Sequence, residues 1–166
     1  MAMSTITAAV AEPYVTHRGE PWWYGESLFE FLVPSDATGG LIAVFRSTMP
    51  EGFSPPRHIH NHEDEVFVVE AGDVDFDIDG RELRAGPGTS VFMPRRVPHT
   101  FRVQSPTARI LGIMTPGHFE GLFRELGVPT ERRTLPEPGE VPFDIARVMA
   151  EQRRRGTEVV GPPMTA

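Results

Sequence analysis

A chain of 166 residues is enough for one buried core and leaves little room for a second domain. Its net charge of −7, from 16 basic and 23 acidic side chains, comes without a basic stripe and argues against a nucleic-acid partner. There is no cysteine, which excludes disulfides, thiolate metal sites and a thiol nucleophile, and no run of about 18 apolar residues predicts a membrane span. The opening MAMSTITAAVAE has neither a basic n-region nor a strong apolar stretch, so it does not read as a signal peptide and a cytoplasmic protein is expected.

Residues 1–12 read as a loose, flexible terminus and 13–166 as a single domain. Strand-like runs follow at Tyr14 to Arg18, Ser27 to Val33 and Leu41 to Met49, with Ser35 to Gly40 as a loop between the last two. EVFVVE, Glu65 to Glu70, is a strong strand. In Asp73 to Gly80, Val74, Phe76 and Ile78 alternate with Asp73, Asp75, Asp77 and Asp79, which predicts one buried and one wet face. The acidic side is expected to be the solvated face of an edge strand, where charge discourages unwanted pairing. Asp79-Gly80 is a tight-hairpin signal, returning through Arg81 to Arg84. Ser90 to Met93, Thr100 to Gln104 and Ala108 to Met114 complete the strands. The 16 glycines and 17 prolines, dispersed between short apolar runs, act as turn punctuation.

Beyond Pro116 the period changes. Phe119, Leu122, Phe123 and Leu126 stand at helical spacing in HFEGLFREL, with Gly127 as a stop. Val128 to Pro142 is a proline-rich connection. Phe143 to Arg155 reads as a second helix that buries Ile145, Val148 and Met149 and ends in a basic turn, Arg153 to Arg155, suited to the helix dipole. The tail TEVVGPPMTA is read either as a docked short strand or as a mobile end. Strands first and helices last give an all-β barrel or sandwich with a C-terminal helical appendage.

HIHNHEDE, from His58 to Glu65, holds three of the six histidines. On an extended segment His58 and His60 share one face, and two neutral imidazoles at that spacing can bind one ion. Two histidines on a strand can equally be ordinary surface polar groups. Glu65 opens the next strand after a short turn, and its carboxylate can reach the same ion. His99, after PRRVP, begins another strand behind the rigid Pro98. Three histidines and a carboxylate suit a divalent first-row metal. If Glu65 points inward, so do Phe67 and Val69; if His99 does, so does Phe101. Phe67, Met93 and Phe101 are candidates for contact with a substrate, and are equally compatible with plain core. His62, Glu63 and Asp64 share the intervening turn and are expected to face solvent. His17 and His118 have no motif around them. Arg95 and Arg96 read as a solvated turn, with attraction of an anionic substrate as the alternative.

The wider spacing resembles the two motifs of the cupin superfamily. The first is Gly52, five residues, His58, one, His60, four, Glu65, six, Gly72; the second runs Gly88, five residues, Pro94, four, His99. Arg96 stands where the second motif usually has glycine and Val103 where it usually has asparagine, which bears on the turn at Arg96 and on any polar role near 103. The resemblance implies an antiparallel double-stranded β-helix, or jelly roll, with a barrel core over about 27–115 and helices over about 117–160. It also implies one divalent transition metal (Ni, Co, Mn, Fe, Cu or Zn) held by His58, His60, Glu65 and His99. WWYGESLFEFLV, PPRHIHNHEDEVFVVEAG and FMPRRVPHTFR further resemble bacterial single-domain cupins related to quercetin 2,3-dioxygenase. That likeness implies a dioxygenase acting with O2 on a flavonol-like or other enolic aromatic substrate, with Glu65 as catalytic base. The alternatives are a cyclase or isomerase of polyketide-like substrates that does not use O2, with more interest in His62, and a non-enzymatic small-molecule-binding cupin. A homodimer is expected, with the aromatic segment Trp22 to Phe31 completing a partner's sheet or pairing within its own chain.

Overall fold

The computed structural model describes residues 12–165, so the loose terminus expected over 1–12 lies outside the described residues except for Glu12. The strands are β1 (Glu20–Tyr24), β2 (Ser27–Val33), β3 (Ala43–Pro50), β4 (His58–His60), β5 (Asp64–Ala71), β6 (Val74–Ile78) and β7 (Arg81–Ala85). They continue with β8 (Ser90–Met93), β9 (His99–Val103), β10 (Thr107–Thr115), β11 (Val128–Pro129) and β12 (Thr157–Val159). Two α-helices, α1 (Gly121–Leu126) and α2 (Ile145–Arg154), lie between β10 and β12.

The strands pair antiparallel in two sheets, β11-β1-β2-β3-β10-β5-β8 and β12-β4-β9-β6-β7. Period-two sequence drives this arrangement, because each strand must turn its apolar side chains to the facing sheet. In β3, Ala43, Phe45, Ser47 and Met49 are buried, and in β5, Glu65, Phe67 and Val69 are. Phe45, Phe76, Met93, Ile110 and Met114 fill the space between the sheets. The result is the jelly roll expected from the sequence. The Asp79-Gly80 hairpin forms, with φ of 53° and 77°, the left-handed pair that a two-residue turn between twisted strands requires.

Several local expectations are corrected, and the aromatic segment and the tail each take one of the two arrangements left open for them. Tyr14 to Arg18 is not a strand; it runs exposed, Val15 at 82 %, and pairing begins at Glu20. The aromatic segment pairs within its own chain, Trp22 opposite Phe29 and Trp23 opposite Leu28, because a hairpin at Gly25-Glu26 makes the local partner available first. The acidic strand β6 is not an edge. β7 covers one side of it and β9 the other, and Asp77 is ion-paired with Arg57 instead of being merely wet. Ser35–Thr38 forms a single 3-10 turn. The first helical segment starts as a 3-10 turn at His118–Glu120 before α1. The second helix is shorter than predicted, because Asp144 caps it: its Oδ1 accepts from the N–H of Ala146 (3.0 Å) and Arg147 (3.1 Å). Of its three expected core residues only Val148 is buried, while Ile145 and Met149 are exposed. Its basic end grips α1, with Arg154 and Arg155 both on Glu125 (3.0 and 2.6 Å). The tail docks: β12 adds to the edge of the smaller sheet beside β4.

Arg96 sits at φ 66°, so the left-handed turn that glycine usually makes survives without the glycine. Its N–H donates to the carbonyl of His60 (2.7 Å), which holds the turn. Val103 is fully buried and its main chain exchanges hydrogen bonds with the Gly52–Phe53 loop, Val103 N–H to Phe53 O and Gly52 N–H to Val103 O, both 3.0 Å. A left-handed conformation costs a non-glycine residue about 1–2 kcal/mol, partly offset by glycine's extra freedom when unfolded. Arg96→Gly should therefore raise stability by up to about 1 kcal/mol, and Arg96→Val should lower it, in urea titrations followed by circular dichroism.

Candidate metal centre

The smaller sheet delivers three imidazoles and the larger one a carboxylate. His58 and His60 lie on one face of β4, His58 faces His99 of β9 in register, and Glu65 comes across from β5. All four are buried, and one ligand atom from each falls within 4.8 Å of the others. The imidazole centroids are 4.6 Å (His58–His99), 4.9 Å (His58–His60) and 5.7 Å (His60–His99) apart. Glu65 binds both flanks of the cluster, Oε2 to His99 Nε2 at 3.2 Å and Oε1 to His60 Nε2 at 3.7 Å.

Each histidine is held by its far nitrogen. His58 Nδ1 lies 2.7 Å from the carbonyl of Pro56, and His99 Nδ1 lies 2.9 Å from that of Val97. In both cases the acceptor is two residues upstream. An Nδ1–H donor in this position leaves Nε2 as a lone-pair donor facing the cluster, the tautomer a metal needs. His60 has no such carbonyl. Its Nδ1 meets Thr157 Oγ1 of β12 at 3.1 Å and the Glu63 carboxylate at 3.5 Å. The ring of Phe119 stands edge-on to His60 with centroids 4.3 Å apart.

The electrostatics agree with a cation site. Burial opposes the charge on Glu65, yet His60, His99 and His58 around it hold its carboxyl down at about 2. Burial, reinforced by His60 and His99, pulls His58 down to about 3, so its imidazole is neutral. Burial also works against a charged His99, but the hydrogen bond and charge of Glu65 raise it. An anionic carboxylate amid buried nitrogen donors fits one divalent first-row ion.

The turn residues expected in solvent divide. His62 is exposed, as are His17 and His118. Glu63, in contrast, is only 2 % exposed, and its Oε2 has no hydrogen-bond partner. The turn folds it back behind His60, in place of the solvated position expected. Asp64 is half-buried and paired with Arg95 at 2.7 Å, so Arg95 is engaged, while Arg96 makes no ion pair with the described residues. Glu63 and Thr157 are the site residues missed by sequence reasoning. Glu63 is a carboxylate three residues after a ligand histidine, a signal that could have found it; Thr157 is brought in from 97 residues away by strand pairing alone.

The cluster opens into a cavity of about 810 Å³. Phe67, Met93 and Phe101, the three pocket candidates, all line it, as do Phe119 and Phe123. Leu135, Val141, Ile145 and Val148 from the C-terminal segment wall its outer part.

Residues 45–114 match the Cupin domain family. With this fold and this cluster of three histidines and a glutamate, that stretch is a cupin domain. The chain resembles the quercetin 2,3-dioxygenases: it is 32% identical to that of Bacillus subtilis over 137 residues, 81% of this chain and 41% of the relative. It is also 32% identical to that of Aspergillus japonicus over 111 residues, 60% of this chain and 31% of the relative. The chain thus spans less than half the length of these curated relatives. Among solved structures, an RmlC-like cupin from Shewanella frigidimarina superposes with a TM-score of 0.56 at 15% identity, covering 66% of this chain and 96% of that one. A predicted oxalate decarboxylase from Thermotoga maritima gives 0.53 at 18% identity, over 60% and 93%. These structures share the fold. No helix among the described residues is long and apolar enough to cross a membrane.

Groups that orient a ligand histidine typically contribute about 10–100-fold to metal affinity. Thr157→Val and Glu63→Gln should each weaken binding of Ni²⁺ or Zn²⁺ by about tenfold in competition titrations, with the fold retained by circular dichroism. Chelation of a loaded sample should lower its Tm, because the ion stabilises only the folded state.

Proposed function

We propose that this chain is a metal-dependent dioxygenase that opens a flavonol-like or other enolic aromatic substrate with O2. The observation that carries this reading is the junction of a buried three-histidine, one-carboxylate cluster with a large, mostly apolar cavity to which Phe67, Phe101, Phe119 and Phe123 contribute. The likeness to two quercetin 2,3-dioxygenases supports the substrate class.

In this reading His58, His60, Glu65 and His99 hold one divalent ion, with Ni, Co, Mn, Fe, Cu and Zn all compatible with the donors. When bound, such an ion supplies Lewis-acid stabilisation of an enolate oxygen. The remaining chemistry belongs to the chain. Glu65 is ionised and lines the cavity, whereas Glu63 stands behind His60 and does not, so Glu65 is the carboxylate placed to take the proton of the substrate's enolic hydroxyl. Phe67 and Phe101, packed edge-to-face at 5.7 Å, and Met93 flank an aromatic ring and keep water from the anion. Ser47 lines the same cavity with a buried hydroxyl that has no protein partner, free to bond a polar group on the substrate. The deprotonated, electron-rich substrate then reacts with O2. His62 is exposed and does not line the cavity, which supports a reading in which it takes no part in this chemistry.

The test is O2 uptake by metal-reconstituted protein against a panel of flavonols, with elemental analysis of the same samples. Uptake should require metal, and Glu65→Gln should lower kcat by roughly 10²–10⁴-fold while keeping the fold. One equivalent of metal without uptake would overturn the oxygenase reading in favour of a cyclase or isomerase. A sample that binds no metal and still binds aromatics would reduce the chain to a binding protein.

A further inference from the structure

The cavity has a charge pattern of its own. All 16 basic side chains of the protein are arginines, and none of them lines the cavity. Arg95 and Arg96, the pair with the potential to attract an anion, are absent from its wall. Every charged side chain there is instead a carboxylate: Glu65 at the metal centre, and Glu26, Glu51 and Glu137. The last three are exposed while lining the cavity, so they stand at its opening, in the β1–β2 turn, the turn after β3 and the segment before α2. Glu30, Glu70, Glu120, Glu125 and Glu140 each hold an arginine. Among the described residues the three carboxylates at the opening have no such pair. The remaining polar side chains of the wall, the three histidines apart, are neutral: Tyr24, Ser47, Ser54 and Gln152. Burial pushes the Tyr24 phenol further above its usual range. Ser47 is 1 % exposed and its hydroxyl has no partner, which suits a hydroxyl or carbonyl group of a ligand. The N-terminus of α2, whose first residue Ile145 lines the cavity, could hold an anion, but the Asp144 carboxylate already accepts from its N–H groups.

We propose that the opening of this cavity sorts substrates by charge, a selection that rests on the reading of the cavity as the substrate site. It admits uncharged hydroxylated aromatics and turns away those that already carry a carboxylate, sulfonate or phosphate. Glu26, Glu51 and Glu137 are the specificity-determining residues. An anionic group on a ligand is normally met by an arginine fork or a lysine ammonium, and the wall offers neither. Such a group would instead pass three carboxylates whose charge no arginine offsets, a repulsion that salt screens because the three are exposed. An uncharged phenol or enol meets no such barrier. It becomes an anion only inside, where Glu65 takes its proton, and its other hydroxyl and carbonyl groups match the neutral donors and acceptors of the wall. Selection of this kind lies in what the wall repels as much as in what it binds.

The experiment uses two dyes that brighten in apolar pockets and share one ring system, uncharged phenylnaphthylamine and its sulfonated form, anilinonaphthalene sulfonate. Each is titrated by fluorescence into the Zn²⁺-loaded protein at about 20 mM and about 500 mM salt. The sulfonated dye should bind at least about tenfold more weakly at low salt, and the gap should narrow at high salt. Glu51→Arg and Glu137→Arg, both at exposed positions outside the strands, should each tighten the sulfonated dye by about tenfold without a matching gain for the uncharged one. Glu82→Arg, on the exposed strand β7 and outside the cavity wall, makes the same change in net charge and should shift either dye by less than about twofold. Equal affinity of the wild type for the two dyes overturns the proposal. So does a sulfonated dye that Glu51→Arg and Glu137→Arg tighten no more than Glu82→Arg does, and so does a protein that takes up neither dye. Neither dye has an enolic hydroxyl, so their binding is read apart from O2 uptake: charge sorting can fail with the oxygenase reading intact, and the oxygenase reading can fail with charge sorting intact.

Discussion

Three imidazoles and a carboxylate packed within 4.8 Å inside an apolar barrel must be satisfied by something other than water, and much of the architecture meets that demand. A charge or polar group buried without a partner costs several kcal/mol, a large share of any domain's stability. For His58 and His99 the solution is local. Each bonds the carbonyl two residues before it, in segments stiffened by Pro55-Pro56 and by Pro98. For His60 it is not. The residue two before it, His58, lies within the paired strand β4, unlike Pro56 and Val97, which precede their strands, and the second nitrogen of His60 finds its partner elsewhere. Thr157 Oγ1 of β12 is that partner, with the Glu63 carboxylate 3.5 Å from the same nitrogen.

This division explains what is legible in the chain and what is not. The alternation in DVDFDIDG, the Asp79-Gly80 hairpin and the HxH pair are short-range patterns, and short-range patterns survive in a sequence. The inward direction of Phe67 and Phe101 follows from strand alternation once Glu65 and His99 are placed. β1 is legible only in part: Trp22 to Phe31 reads as sheet-forming, while its division at Gly25-Glu26 into two strands that pair with each other depends on a local turn the pattern does not mark. Treating β6 as an edge fails because neighbours across a sheet are a matter of topology, which a strand's own residues do not encode. Glu63 reads as solvated because an acidic residue in a polar turn usually is; only the fold-back toward His60 buries it.

The two departures from the family pattern illustrate a related point. Arg96 keeps the left-handed backbone that glycine normally supplies, and its N–H, bonded to His60 O, ties the turn to the strand bearing two of the clustered histidines. Val103 has no polar side chain, and its main chain bonds the loop at Gly52 and Phe53. Backbone geometry is retained at both positions while side-chain identity changes. This is the expected order of constraint where the main chain, more than any one side chain, positions the site.

The pairing of Thr157 with His60 has a consequence for how the protein is made. A chain emerges from the ribosome N-terminus first, and both sheets except for β11 and β12 are complete by Thr115. The barrel can close, and His58, Glu65 and His99 can converge, while some forty residues before Thr157 have still to emerge. Until that threonine arrives His60 lacks its hydroxyl partner and the cavity lacks its outer wall. The partner of His60 is thus supplied late, when the segment that carries β12 pairs with β4 and brings Thr157 against the ring.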